Sequence, residues 1–120
     1  MLVIRKPQLA ALSREHDRAL ARELAPKVIA AIPALSGALG TTAIEAVIHD
    51  AIADGRRFGL ETDQELGELV GLVFACGERF YEREEYAWAK TLLGSGRPTG
   101  VREVGLRVEA EMARRAAGAA

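Results

Sequence analysis

The segment from Phe58 to Leu93 constrains the fold of this chain more than any other, because it combines a helix-start signal, a dense apolar run and the aromatic residues. Thr62 is followed three positions later by Glu65. This spacing is typical of a capping box, in which the threonine oxygen accepts from the Glu65 amide and the glutamate carboxylate accepts from the Thr62 amide. The pair predicts that a helix begins directly after Thr62.

Apolar residues follow this cap at steps of three and four, as one face of a helix requires. They are Leu66, Leu69, Val70, Val73, Gly77 and Phe80. Leu72, Phe74 and Cys76 widen the apolar face, so the pattern predicts a core helix with little surface left for solvent. The run is about half as long as a bilayer span and contains Glu68, so we do not expect it to cross a membrane.

A strip of small residues, Gly67, Gly71 and Ala75, recurs at every fourth position of the same helix. Each glycine inside a helix costs about 1 kcal/mol relative to alanine, so the strip predicts a close neighbouring backbone that offsets this cost. The neighbour is either a helix of this chain or a partner protein. Ala51 and Gly55 form a similar strip earlier in the chain, which favours an antiparallel hairpin of the two consecutive helices.

The residues after Phe80 are mainly acidic and aromatic, and they predict a break followed by a short helix over residues 84–93. Its apolar residues are Tyr86, Trp88, Ala89, Leu92 and Leu93, and its stop consists of Gly94, Ser95, Gly96 and Pro98. We expect Phe80 and Trp88 to pack on one another or on a shared cluster that anchors this helix, because aromatic rings bury large areas.

The first helix is predicted to begin at Pro7, to kink at Pro26 and to end at Pro33. Its apolar stripe consists of Leu9, Leu12, His16, Leu20 and Leu24. A loop is predicted over residues 34–40.

Thr42 with Glu45 predicts a second capping box and a helix that reaches Phe58, with Gly59 as a left-handed cap. The predicted buried face of that helix consists of Ile44, Val47, Ile48, Ala51, Ile52 and Gly55.

The last predicted helix begins near Thr99 and frays after Arg115, with Leu106 off its apolar stripe. The stripe consists of Val101, Val104, Val108 and Met112.

The sequence has no stretch of useful length in which apolar and polar residues alternate, as they do in strands, so the predicted fold class is all-α. We expect a compact bundle of about five helices, near residues 7–32, 42–58, 63–79, 84–93 and 99–116. A chain of 120 residues with 49% apolar residues is large enough for one core, so we expect a single helical domain over residues 1–120 with a tail frayed from about 116.

The sequence offers few groups for catalysis or metal binding. His16 and His49 have no cysteine or carboxylate at a ligand spacing; we place His49 on a solvated face and His16 at the edge of the core. Cys76 lies in an apolar helix, so we interpret it as a buried and unreactive thiol. The serines lack a nucleophile motif. We therefore expect no enzymatic activity and no cofactor. The start of the chain carries no Sec-type export signal, so we expect a cytoplasmic protein.

Charge is unevenly distributed along the chain. Residues 1–33 have a net charge of +3, residues 41–86 of −7 and residues 87–120 of +3, which together give the −1 of the whole chain. Two interpretations fit: the basic ends pair with the acidic centre within the fold, or the centre presents an acidic surface to a basic partner.

One pattern of residues extends over much of the chain. It comprises Arg57, Phe58, Gly59, Leu60, Thr62 to Glu65, Phe74, Gly77, Phe80, Trp88, Ala89 and Leu93, after an opening of Met1 to Lys6, Gln8, Leu9 and Leu12. Over about residues 1–93 the chain thus resembles small helical proteins encoded beside type VI secretion spike and toxin genes in bacteria. It departs from that family at Tyr81, where the family favours aspartate, and at Pro26, which interrupts the first helix.

The resemblance implies a non-catalytic accessory protein that binds a secreted effector or spike component as adaptor, chaperone or immunity partner. We expect such a partner to contact the acidic turn and its tyrosines. The residues concerned are Glu82, Glu84, Glu85, Tyr81 and Tyr86. The competing hypothesis is a helical antitoxin or transcription-regulatory protein that contacts nucleic acid, against which the sequence pI of about 6.1 argues. The sequence leaves the identity of the partner and the oligomeric state open.

Overall fold

The computed structural model describes residues 6–95 and 100–118, and within these ranges the regular structure is entirely helical. The α-helices are α1 Lys6–Ala31, α2 Ala34–Ala38, α3 Thr41–Arg57, α4 Asp63–Cys76, α5 Ala87–Leu93 and α6 Gly100–Gly118. Two short 3₁₀-helices, Phe80–Glu82 and Glu84–Tyr86, join α4 to α5. The all-α fold class predicted from the sequence is confirmed.

The chain divides into two units, Met1–Ile52 and Ala53–Ala120. The single domain expected over residues 1–120 stays a prediction.

In the first unit, α1 continues through Pro26 without ending, and it stops before Pro33 as expected. Pro26 is exposed, so water can reach the carbonyl group that its ring leaves without an amide donor. Leu20, Ala21 and Ala25 are buried, but His16 is exposed and does not belong to the apolar stripe. The predicted loop over residues 34–40 is wrong in part, because α2 occupies most of it.

The start of α3 differs by one residue from the prediction, and this changes its cap. The Ile44 amide donates to the Gly40 carbonyl at 3.1 Å, which places the N-cap at Gly40 and Thr42 inside the helix. The second capping box is therefore wrong; glycine is itself an acceptable N-cap residue. The buried face is confirmed, with Ile44, Ile48, Ala51, Ile52 and Gly55 buried and Val47 half-buried.

Gly59 ends α3 in the way that the sequence predicts. Its φ is +90°, which a side chain would oppose. The Gly59 amide donates to the Arg56 carbonyl at 3.0 Å and the Leu60 amide donates to the Gly55 carbonyl at 2.9 Å. These two bonds form a Schellman motif, and the buried Leu60 side chain closes it.

The capping box of α4 is confirmed. The Glu65 amide donates to Thr62 Oγ1 at 3.1 Å, and the Thr62 amide donates to Glu65 Oε1 at 3.2 Å. The helix ends at Cys76, earlier than expected, because Gly77 adopts a φ of +108°. Phe80 therefore lies in a 3₁₀-helix after the turn instead of on the face of α4.

The small residues of α3 and α4 do not pair with one another. A side chain at Gly55 would place its Cβ 2.7 Å from Leu66 Cδ2 and 3.1 Å from Leu69 Cδ2, so the close neighbours of Gly55 are leucines. Gly71 and Ala75 are exposed, and a Cβ at Gly71 would meet nothing within 4 Å. The predicted contact between the strips is wrong because the leucines of α4 occupy the face that packs on the end of α3.

In the last helix, Val101, Val104 and Val108 are buried as predicted. Leu106 is 62% exposed, which confirms that it lies off the stripe, but Met112 is 42% exposed and does not belong to the core. The predicted start near Thr99 lies outside the described residues, whereas the helix continues past Arg115 to Gly118.

The two predicted capping boxes give a matched test. Thr62→Ala removes the acceptor of the Glu65 amide, so we expect the free energy of unfolding to fall by about 1 kcal/mol. Thr42→Ala changes a threonine inside α3 and should change that free energy by less than about 0.5 kcal/mol. Urea denaturation followed by circular dichroism measures both. Equal losses in the two variants would contradict the assignment of the N-cap to Gly40.

Candidate protein-binding surface

The turn between α4 and α5, residues 77–86, presents the acidic residues that the sequence singles out; we call it the acidic turn. Arg79 has a φ of +51° and Gly77 one of +108°, so the chain reverses sharply after α4. Phe80 and Tyr81 then turn inward, with 0% and 2% of their surfaces exposed. Because the buried Phe80 and Tyr81 anchor the first two residues of the first 3₁₀-helix, Glu82 and the glutamates that follow have a defined position.

Gly77 is favoured in this geometry by its φ of +108°, which a side chain would oppose, and the Arg83 side chain packs against it. A Cβ there would lie 2.8 Å from an Arg83 guanidinium nitrogen. The Arg83 side chain donates to the Cys76 carbonyl at 3.4 Å, which satisfies one of the last carbonyl groups of α4. The arginine thus fastens the acidic turn to the end of the helix.

Glu82, Glu84 and Glu85 are all exposed. Lys90 Nζ donates to Glu82 Oε2 at 3.1 Å, and Arg83 lies 3.9 Å from Glu85 Oε1. The glutamate side chains in these pairs are 55% and 62% exposed, so water screens both attractions. The carboxylates therefore stay available to cations of another molecule.

Five aromatic rings contact one another in a row beside the acidic turn, and we call this row the aromatic ladder; it consists of Phe58, Tyr81, Phe80, Tyr86 and Trp88. Ring centroids lie 5.0 Å apart for Phe58 and Tyr81, 5.2 Å for Tyr81 and Phe80, 5.3 Å for Phe80 and Tyr86, and 6.2 Å for Tyr86 and Trp88. The first three pairs meet edge to face, a favoured arrangement. Phe80 and Trp88 thus share a cluster through Tyr86, as predicted.

Asp54 is the buried charged residue at the base of this ladder. The Tyr81 hydroxyl and the Arg57 guanidinium donate to its two carboxylate oxygens, and Arg79 Nε lies 3.8 Å away. A buried carboxylate needs such partners because burial without them is costly. Burial, followed by the bond to Asp54, raises the pKa of Tyr81 well above its ordinary value, so the phenol stays protonated.

Cys76 is half-buried at the end of α4, less enclosed than the sequence suggests. Burial raises the pKa of its thiol, and a hydrogen bond with Tyr86 opposes that rise. A raised pKa leaves little thiolate at neutral pH, which agrees with the interpretation of an unreactive cysteine.

A second surface feature lies between α4 and α6. It is an apolar groove of about 360 Å³, which we call the α4/α6 groove. Residues that line it include Gly71, Leu72, Ala75, Gly105, Leu106 and Met112. Arg102 lies 3.7 Å from Glu68 across one end of it, and Gly105 lies beside Leu72, so the two helices run in the same direction.

The structure separates the predicted contact residues into those that lie on the surface and one that is buried. Glu82, Glu84 and Glu85 lie together on the exposed turn, and Tyr86 is half-buried beside them. Tyr81 is buried and bonded to Asp54, so it supports the turn from inside and does not lie on its surface. Sequence reasoning missed the role of Asp54; its i, i+3 spacing to Arg57 is the available signal.

The histidines do not come together with other ligand groups. His49 is exposed, as expected for a solvated face. Within residues 6–95 and 100–118, no group of three or more His, Cys, Asp or Glu is placed to hold a metal ion. None of the helices described there is long and apolar enough to cross a membrane.

Comparison with known proteins adds no relative: no family model, no curated protein and no solved structure matches the chain significantly.

The raised pKa of Tyr81 gives a prediction on alkaline stability. The folded chain holds the phenol proton more tightly than the unfolded chain, whose tyrosine ionises near its ordinary pKa of about 10. The protonated phenol therefore contributes its full stabilisation of the folded chain below pH 10. As the pH rises above 10, this contribution to the free energy of unfolding is lost by up to about 1.4 kcal/mol per pH unit. Denaturation of the wild type and of Tyr81→Phe between pH 8 and 11, a range set by this pKa, should show a steeper loss for the wild type. Parallel profiles would contradict the assignment.

Trp88 gives a prediction on the aromatic ladder. Truncation of a fully buried tryptophan to alanine costs about 3 kcal/mol or more. Because the Trp88 side chain is only half-buried, we expect Trp88→Ala to cost about 2 kcal/mol, from lost contact with Tyr86 and with the Arg107 guanidinium 4.3 Å from the ring centroid. Arg107→Ala removes the cation–π contact alone and should cost about 0.5–1 kcal/mol. A loss below about 1 kcal/mol for Trp88→Ala would mean that the ring does not anchor α5.

Proposed function

We propose that this protein is a non-catalytic accessory that holds another protein, and that the acidic turn is its contact surface. One observation carries the proposal: three exposed glutamates stand on a turn whose position is fixed by buried Phe80 and Tyr81, beside the half-exposed rings of Tyr86 and Trp88. Aromatic side chains are enriched at protein interfaces, and charged groups around them steer association and set specificity.

The rigid backing of the acidic turn favours binding. A flexible acidic loop would lose conformational freedom when a partner ordered it, which weakens association. Here the fold has already fixed Phe80 and Tyr81, and Arg83 ties the turn to the Cys76 carbonyl. The remaining cost is limited to the side chains of the glutamates, so a larger part of the contact energy goes into affinity.

The charge of the turn indicates a basic partner segment. Glu82 and Glu85 have exposed cationic neighbours, Lys90 and Arg83, whose attraction is weakened by water. A lysine or arginine of a partner would meet the same carboxylates with water excluded, where the attraction is stronger. Association should therefore be steered by charge and should weaken as salt is added.

The identity of the partner rests on the sequence resemblance described above. On that basis we propose a type VI secreted effector or spike component as the partner, with this chain as adaptor, chaperone or immunity protein. A nucleic-acid-binding antitoxin or regulator is the competing function. Of the arginines in α6, Arg102 and Arg107 already contact Glu68 and Trp88, which leaves a weaker basic face for phosphate.

Charge reversal tests the proposal. The triple variant Glu82→Lys, Glu84→Lys and Glu85→Lys should lose capture of a basic partner protein by at least about tenfold, because like charges across an interface are repulsive. Helical content and melting temperature should change little, since exposed charges contribute little to folding. Pull-down from the native host identifies the partner, and titration calorimetry with that purified partner measures the affinity.

A matched control keeps the net charge change equal. Glu15→Lys, Glu23→Lys and Glu61→Lys reverse three exposed glutamates that do not belong to the turn and should leave capture unchanged. Capture that survives in the turn variant would remove the acidic turn from the interface. Salt-sensitive binding to DNA that is lost when Arg114 and Arg115 are neutralised would favour the competing function, and turnover of a small substrate would overturn the non-catalytic assignment.

A further inference from the structure

The α4/α6 groove is not used by the proposed function, and its outer edge carries the most exposed large apolar side chain of the described residues. Leu106 is 62% exposed and Met112 is 42% exposed, and both lie on α6 beside the groove. Opposite them, the exposed residues of α4 are the small Gly71 and Ala75, and a Cβ at Gly71 would meet nothing within 4 Å; Leu72 of α4 is buried beneath them. The groove thus combines bulky apolar side chains and a shallow floor on one face. Exposed apolar surface of this kind marks an interaction site.

The charges on this face are arranged so that a second copy complements them. Arg102 and Glu109 are both exposed residues of α6 that line the groove, and they are seven positions apart, about two helical turns. The midpoint between them falls between Gly105 and Leu106. Two copies of α6 that cross antiparallel at that midpoint bring Arg102 of each copy opposite Glu109 of the other.

The same crossing suits the apolar residues. Leu106 and Gly105 lie on either side of the midpoint, so the bulky side chain of one copy meets the helix of the other where a glycine permits close approach. Arg102 keeps donors free for a second carboxylate, because its contact with Glu68 uses one nitrogen at 3.7 Å and its side chain remains 62% exposed.

Other occupants fit this face less well. A parallel pair of α6 helices would set Arg102 against Arg102 and Glu109 against Glu109, which is repulsive. A uniformly basic or uniformly acidic segment of another protein would meet one like charge on the rim, since Glu68 and Glu109 accompany Arg102. A two-fold contact satisfies both signs at once, as self-complementary interfaces do.

We propose that the protein forms a homodimer through the α4/α6 groove, in which antiparallel α6 helices pair Arg102 of one copy with Glu109 of the other around Leu106. The contact is separate from the acidic turn, so the dimer presents two acidic turns to its partners. Two linked contacts raise the apparent affinity for a partner that carries two basic segments.

Sedimentation analysis of the full chain over a range of concentrations tests the dimer. The wild type should shift from monomer to dimer as concentration rises, and Leu106→Asp should remain monomeric, because a charge at the centre of the contact is not paired. Leu106 is exposed in the single chain, so this variant should keep the wild-type circular dichroism spectrum and melting curve at low concentration. Leu39→Asp is the matched control, an exposed leucine outside the groove, and should dimerise like the wild type.

A charge swap tests the antiparallel register. Arg102→Glu and Glu109→Arg should each weaken dimerisation by at least about tenfold, and the two changes together should restore it, because the pair is then reversed in both copies. A wild type that stays monomeric up to about 1 mM overturns the proposal. So does a double variant that is as weak as the singles, or a Leu106→Asp variant that loses a partner protein but not its own oligomeric state.

Discussion

The hydrogen bond from the Tyr81 hydroxyl to Asp54 is the interaction on which the second unit depends. It joins the end of α3 to the turn after α4, two parts of the sequence that are 27 positions apart. Asp54 is buried, and a buried carboxylate is stable only when donors surround it. Tyr81 and Arg57 supply those donors, and every buried side-chain nitrogen and oxygen of the described residues has a partner. Removing the Tyr81 hydroxyl would therefore leave one oxygen of a buried carboxylate without its hydrogen-bond donor, although Arg57 still pairs with the other.

This bond also determines what the surface can do. Because Tyr81 is drawn inward, Phe80 is buried beside it and the glutamates that follow are turned outward. The aromatic ladder then continues through Tyr86 to Trp88, so the position of α5 depends on the same cluster. A surface proposed for binding thus rests on a core element, which lets one chain combine exposed charge with a fixed geometry.

Charge along the chain supports both interpretations that the sequence leaves open. Lys90 pairs with Glu82 and Arg102 with Glu68, so basic residues of the last segment do neutralise part of the acidic centre. Three of these four side chains are exposed and Glu68 is half-buried, so the pairs contribute little to folding, and Glu84 has no ion-pair partner among the described residues. The pairing within the fold is consequently weak enough for another molecule to compete with it.

The sequence by itself determined the local structure: the capping box at Thr62, the left-handed cap at Gly59 and the buried faces of α3 and α4 follow from residue spacing and from the few conformations that each residue adopts. It did not determine where Tyr81 points, because an aromatic residue in an acidic turn can face inward or outward with equal local cost. Nor did it determine what Gly55 contacts. The spacing of small residues in α3 and α4 predicts that the two strips pack together, but the leucines of α4 pack against Gly55 instead. Those choices were decided by tertiary structure, because burial of Phe80, Tyr81 and Leu66 and the need to pair Asp54 depend on residues far apart in the chain.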